Sequence, residues 1–237
     1  MVRMIAPWKE VRDHARAATR SEYPLRRRAR ALRPVACPPG LGHPVPMATL
    51  TRLADALSRR WWAIALLAAL IVLMMRRLMA LSAKLKVVTG YEAFDMQPSL
   101  GIGDMAAQLK HYTPEAVRLY SAFSSTDFLF PFASALFWAA LLVWGLRRAR
   151  PVQYTSGGWQ RHLPWLFVGC AFDWIENVAN AWVVGRFPPL HTGVASLALF
   201  AKYAKVTAVS AAAVLALAFA LWGAATSIAH YVRRRVS

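Results

Sequence analysis

The sequence predicts an all-α fold, a four-transmembrane-helix bundle with a partly helical loop region on its outer side. The chain is 57% hydrophobic and only 17% charged, and its mean hydropathy is +0.34. It contains four apolar runs that approach or exceed the roughly 20 residues needed to cross a bilayer. Basic residues gather at the ends of these runs. The predicted spans are residues 61–79, 121–146, 163–184 and 193–222.

Residues 1–46 differ in composition from the rest of the chain. They contain the arginine-rich run at 25–34 and the proline-rich stretch at 37–46, and they have no sustained apolar face. Such composition favours disorder. We therefore predict a disordered basic tail over 1–46 and a membrane domain over 47–237. A further hypothesis is that translation starts at Met47, which peptides from residues 1–46 of the native protein would contradict.

The first span has a compact apolar core that ends at Arg76 and Arg77. This core is short for a bilayer, so the helix must continue past both arginines, whose long side chains can reach the headgroups. After the intervening loop, Thr113 and Pro114 indicate a helix start, because threonine caps helix N-termini and proline suits the first helical position. A helix from Pro114 can run continuously to Leu146.

Prolines also delimit the last two spans. Pro164 suits the first turn of the third span, and Pro188 and Pro189 interrupt the chain before the fourth. The fourth span is rich in alanine and ends in three consecutive arginines. The sequence thus predicts that the third and fourth helices are antiparallel neighbours joined by a short turn.

The net charge of +18 raises the question of a nucleic-acid partner. We predict none, because the basic residues lie in the tail and at span ends, where anionic lipid headgroups attract them. The bilayer is the expected partner. Short basic loops stay cytoplasmic, which predicts cytoplasmic N- and C-termini in a bacterial inner membrane. Arg76 and Arg77 oppose this orientation, since they fall on the outer side.

Ionisable and amide side chains within the apolar runs are the main functional signal. In the third span they recur at intervals of three and four residues, which places them on one helix face. A charge at such depth costs several kcal/mol, so it usually faces a partner, a cavity or a ligand. The candidate ligand-binding or proton-relay residues are Asp127, Asp173, Glu176, Asn177, Asn180, Lys202 and Lys205.

Helix rise places these charges at similar depths. At about 1.5 Å per residue, the carboxylates and ammonium groups all fall in the outer half of the bilayer. We therefore expect Asp173 and Glu176 to face the two lysines. Asp127 arrives on the second span beside Pro131, which leaves a backbone carbonyl without its helical partner.

Three interpretations of this polar band stay open. The charges can stabilise helix packing and have no binding or catalytic role. They can form a ligand, lipid-headgroup or proton site, or an enzyme active site. We predict a small integral membrane protein that binds a small or lipidic ligand or assists a partner membrane protein, with a homo-oligomer as a further option. The alternative is a membrane isomerase or transferase that uses the carboxylates as acid and base.

The sequence contains no recognisable metal or cofactor motif. Its histidines at predicted span ends include His162, His191 and His230, and none belongs to a paired zinc motif. Cys37 and Cys170 lie in unlike settings and lack metal-ligand spacing. We predict neither a metal nor a cofactor from the sequence.

Several short motifs occur in a defined order between residues 61 and 210. They are FDM (94–96), YTPEAVRLY (112–120), DFLFP (127–131) and DWIEN (173–177), followed by Lys202. In this order the chain resembles an uncharacterised family of bacterial four-span integral membrane proteins. The resemblance implies a compact four-helix membrane bundle with shared acidic motifs, and no assigned activity. A more distant similarity to four-span sterol-isomerase-like proteins lacks their histidine and aromatic pattern.

Overall fold

The computed structural model describes residues 45–236, which are mostly helical with no β-strand in that range. The all-α prediction is confirmed. The predicted tail, residues 1–46, lies outside the described part of the chain except for its last two residues. The α-helices are α1 (Val45–Ser58), α2 (Trp61–Thr89), α3 (Ile102–Leu109), α4 (Pro114–Asp127), α5 (Phe130–Ala149), α6 (Pro151–Thr155), α7 (Val168–Arg186) and α8 (Thr192–Val236), with 3-10 helices at Phe94–Met96 and Gly158–Phe167.

Three of the described helices, not four, are long and apolar enough to cross a membrane. They are Trp61–Thr89, Pro114–Ala149 and Thr192–Arg235. The fourth predicted span, at 163–184, is not among them. The first residues of this segment belong to a 3-10 helix, and α7 provides 19 residues that include two carboxylates and two asparagines. These four polar side chains lower the mean hydropathy of the segment.

The helix predicted to start at Pro114 is almost continuous. Thr113 Oγ1 accepts a hydrogen bond from the Ala116 N–H, and Pro114 occupies the first turn, as predicted. The helix is interrupted by a turn at Phe128 and Leu129, where α4 ends and α5 begins. Pro131 explains the break, because its ring nitrogen cannot donate to the carbonyl four residues earlier. The neighbouring Phe128 carbonyl, in the turn between the two helices, accepts a hydrogen bond from Trp174 Nε1 at 2.8 Å.

Helix α5 lies at the centre of the described fold, since it packs against α1, α2, α7 and α8. Helix α8 packs along both α5 and α7, and α2 packs against α4 and α5. The connection between α2 and α4 folds back over one end of these helices. Its anchor is an aromatic cluster that includes Phe94, Tyr112, Tyr120 and Phe123.

The surface of α2 is unusually apolar. Only 11% of its most apolar 18-residue stretch is buried, and Leu66, Val72 and Leu73 are exposed. Contiguous apolar surface on this scale marks a region that another apolar phase covers. The exposed face of α2 is consistent with integration into a membrane.

Candidate ligand-binding site

Helix α7 has an inverted distribution of side chains. Its polar residues Asp173, Glu176, Asn177 and Asn180 are all buried. Its opposite face presents exposed apolar residues, which are Trp174, Ile175, Val178 and Trp182. The helical period of 3.6 residues produces this separation into two faces. A helix with polar residues inside and apolar residues outside is suited to lipid on one side and to a polar site on the other.

Lys205 is the electrostatic centre of the site. Its Nζ atom lies 2.5 Å from Asp95 Oδ1, 3.0 Å from Asp173 Oδ1 and 2.6 Å from Glu176 Oε2. The Glu176 contact is an ion pair whose direction does not meet hydrogen-bond geometry. The three acids and Lys205 are 13% exposed or less at their side chains. One ammonium group is therefore shared among three carboxylates.

Lys202 does not take the role expected from the sequence. We expected it to face Asp173 and Glu176, whereas its Nζ atom donates to the backbone carbonyls of Phe94, at 2.7 Å, and Gln97. Residues 202 and 205 lie on the same side of α8, but the folded connection between α2 and α4 covers Lys202. Lys202 thus holds this connection against α8, and of the two lysines it is Lys205 that makes ion pairs with acids among the described residues.

Asp95 is a site residue that the sequence-based candidates omitted. It belongs to the 3-10 helix Phe94–Met96, whose Phe94 ring is fully buried in the aromatic cluster. The Ala93 N–H donates to Ser82 Oγ at 3.0 Å, which attaches this segment to α2. Burial by itself would raise the pKa of Asp95. The charges of Lys205 and Lys202 and the side-chain hydrogen bonds with Lys205 and Glu176 together outweigh burial and hold this pKa below its ordinary value. The one feature of the sequence that could have identified Asp95 as a site residue is its position in the FDM motif (94–96).

Asp127 reaches the same site from the end of α4. Carboxylate oxygens of Asp95, Asp127 and Asp173 lie within 4.8 Å of one another. Asp127 is 2% exposed, and its Oδ2 atom has no hydrogen-bond partner among the described residues. A buried carboxylate oxygen without a partner is costly, which makes this atom the most informative one in the site.

The two asparagines of α7 extend the polar face along the helix. Asn177 Nδ2 donates to Asp173 Oδ1 over a long distance of 3.4 Å. Asn180 Oδ1 is buried and has no partner among the described residues. Neither asparagine contacts the lysines through a hydrogen bond found in the structure. Of the seven sequence-based candidates, Asp127, Asp173, Glu176 and Lys205 meet at the centre, whereas Asn177, Asn180 and Lys202 flank it.

The formal charges of the site do not balance. The site contains four carboxyl groups, those of Asp95, Asp127, Asp173 and Glu176, and only two ammonium groups. Lys205 pairs with three of the acids, and Lys202 binds backbone carbonyls beside them. With all six groups ionised, the site has an excess of two negative charges. Such an excess in a region of low dielectric attracts protons or other cations.

A cavity of about 290 Å³ adjoins the carboxylates. Its polar end is formed by Asp95, Asp127, Asp173 and Lys205. The remainder is mostly apolar and follows α5 as far as Trp138 and α8 as far as Ala212. From Lys205 to Ala212 the helix rises about 10 Å. The cavity therefore has a charged end and an apolar end, as an amphiphilic ligand requires.

Comparisons with known proteins assign neither a family nor a function to this chain. The resemblance to four-span bacterial membrane proteins consequently stays a prediction, and the site has to be interpreted from its own geometry. No protein-family model, curated protein or solved structure matches this chain.

Proposed function

We propose that the described residues form a four-helix membrane domain in which α7 is inserted together with the three more apolar helices. The support for this is the exposed apolar face of α7 and its packing against α8. Its polar residues face the protein, so none of the carboxylates would contact lipid. A helix of 19 residues measures about 28 Å, close to the thickness of a hydrocarbon core.

We propose that the protein lies in a bacterial inner membrane and that both of its termini are in the cytoplasm. Single cysteines at the exposed positions Ser156 and Ser99 test it, in a background with Cys37 and Cys170 replaced by alanine. A membrane-impermeant maleimide should label Ser99→Cys in spheroplasts, and should label Ser156→Cys only after lysis. The reverse pattern would show the opposite orientation, and equal labelling of both would refute a membrane-spanning arrangement between them.

We propose that the protein binds a small amphiphile from the membrane in the cavity beside Lys205. The head of this ligand would occupy the carboxylate end, and its chain would lie along α5 and α8. The observation that carries the proposal is the cavity itself, with charged residues at one end and apolar residues such as Trp138, Leu166 and Val209 beyond them. Binding sites for small molecules commonly combine an apolar lining with a few polar groups that orient the ligand.

Thermal stabilisation by three amphiphiles of equal chain length tests this function. The purified protein in neutral detergent would be mixed with an alkyl alcohol, an alkylamine or an alkyl phosphate, and its unfolding temperature measured. Ser134 lines the cavity on α5, so Ser134→Leu should fill part of it and abolish the stabilisation. The matched control is Ala80→Leu, which adds the same side chain type to an exposed position of α2.

The expected result is a rise in unfolding temperature with at least one of the three amphiphiles. This rise should persist in Ala80→Leu and disappear in Ser134→Leu, because only the latter reduces the cavity. If no amphiphile stabilises the protein, or if Ser134→Leu responds like the parent, the proposed binding function is wrong.

A further inference from the structure

We propose that Asp95, Asp127 and Asp173 form a binding site for one divalent cation at the polar end of the cavity. The three carboxylates come from three separate elements, namely the 3-10 helix Phe94–Met96, α4 and α7. Their ligand oxygens lie within 4.8 Å of one another, so a single ion can reach one oxygen from each. The proposal rests on the proposed function only in that it uses the same cavity.

The unpaired oxygen of Asp127 provides independent support. Asp127 is 2% exposed and lines the cavity, yet its Oδ2 atom finds no donor among the described residues. Buried carboxylates are retained when they are paired or when they coordinate a metal. A cation at the polar end of the cavity would supply the partner that the surrounding side chains do not provide.

Lys205 does not replace the proposed cation. Its Nζ atom contacts one oxygen each of Asp95 and Asp173, both of them Oδ1 atoms. Each carboxylate has a second oxygen, so it can bridge the ammonium group and an ion at the same time. No contact within 4.0 Å joins Lys205 to Asp127 among the ion pairs of the described residues. The ion would therefore lie on the Asp127 side of Lys205.

The charge and the donor type indicate the class of ion. The site has an excess of two negative charges when its acids and lysines are ionised, and one divalent cation would neutralise it. All three donors are carboxylate oxygens, which suit hard cations such as Mg²⁺, Mn²⁺ and Ca²⁺. Water or the head of a bound ligand would complete the coordination from the cavity, which borders all three carboxylates.

Electron paramagnetic resonance of Mn²⁺ tests the site without any amphiphile. The signal of free Mn²⁺ falls as the ion binds, so titration of the purified protein yields its stoichiometry and Kd. We expect one bound Mn²⁺ per chain, displaced by excess Mg²⁺ or Ca²⁺. Asp127→Asn should weaken binding about tenfold or more, since even indirect partners of metal ligands contribute about 10–100-fold. Glu115→Gln, which neutralises an exposed acid on α4, should bind Mn²⁺ like the parent.

A second variant keeps the test decisive if Asp127→Asn does not fold. Asp95→Asn removes a carboxylate from outside the spanning helices, and it should also weaken Mn²⁺ binding. Absence of Mn²⁺ binding to the folded parent, or equal affinity in the parent and in the folded aspartate variants, would overturn the cation site. If amphiphile stabilisation persisted in that case, the proposed function would stand. If Mn²⁺ binding depended on the aspartates but no amphiphile stabilised the protein, the cation site would stand and the proposed amphiphile-binding function would be wrong.

Discussion

Replacing Lys205 by methionine is expected to lower the free energy of unfolding by about 3–5 kcal/mol, the typical result of breaking a buried ion pair. The side chain volumes are similar, so the main change is the loss of the shared ammonium group. Asp95, Asp173 and Glu176 would then remain buried together without their counter-ion. Chemical unfolding in detergent, followed by tryptophan fluorescence, would measure the difference.

Two further variants separate the ion pairs from other effects of this substitution. Lys84→Met makes the same change on the exposed surface of α2 and should alter stability by no more than about 0.5 kcal/mol. Adding Asp173→Asn and Glu176→Gln to Lys205→Met removes two uncompensated charges and should restore part of the lost stability. Equal stabilities of the Lys84 and Lys205 variants would show that the ion pairs do not contribute to folding.

Substitution of Gly145 by alanine is expected to be the most damaging single-methyl change in the described helices. A Cβ atom at this position would lie 2.3 Å from the Phe219 carbonyl oxygen, where α5 crosses α8. The obstacle is backbone, so the helices must move apart and lose packing along their contact. We expect a loss of about 3 kcal/mol, the upper end of the usual range for overpacking. Thermal unfolding and the yield of monodisperse protein would both report it.

Two other glycines provide a comparison for Gly145. Gly223 faces it across the helix crossing, and an added Cβ atom would lie 2.7 Å from the Gly145 carbonyl oxygen, so Gly223→Ala should also destabilise. Gly185 lies in α7 with nothing within 4 Å of an added Cβ atom. Gly185→Ala should stabilise the protein by up to about 1 kcal/mol, because alanine favours helix. A stable Gly145→Ala variant would contradict the close crossing.

The polar face of α7 could be predicted because helix periodicity is local. The intervals between Asp173, Glu176 and Asn180 define one face of any helix, whatever surrounds it. The same argument could not distinguish Lys202 from Lys205, because the two residues lie on the same side of α8. Which of them meets the acids depends on where a connection more than 100 residues earlier in the chain packs.

The apolar character of α7 was overestimated for a related reason. The predicted span at 163–184 was identified from its length and its many large apolar residues. In the structure these residues form one outward face, whereas the polar residues face the interior. The segment is therefore less apolar than the three other long helices, and its position depends on the partners that its polar face finds.

By itself, the sequence determined the all-α class, three of the four predicted apolar spans, the helix start at Pro114 and the types of residue available for a buried site. These features follow from composition, capping and periodicity, which act over a few residues. Only the tertiary structure decided that Asp95 joins the site, that Lys202 binds backbone carbonyls and that Lys205 serves three carboxylates. The physical reason is that these contacts depend on how the buried Phe94 cluster positions its segment against α8. That packing results from the whole set of helices together.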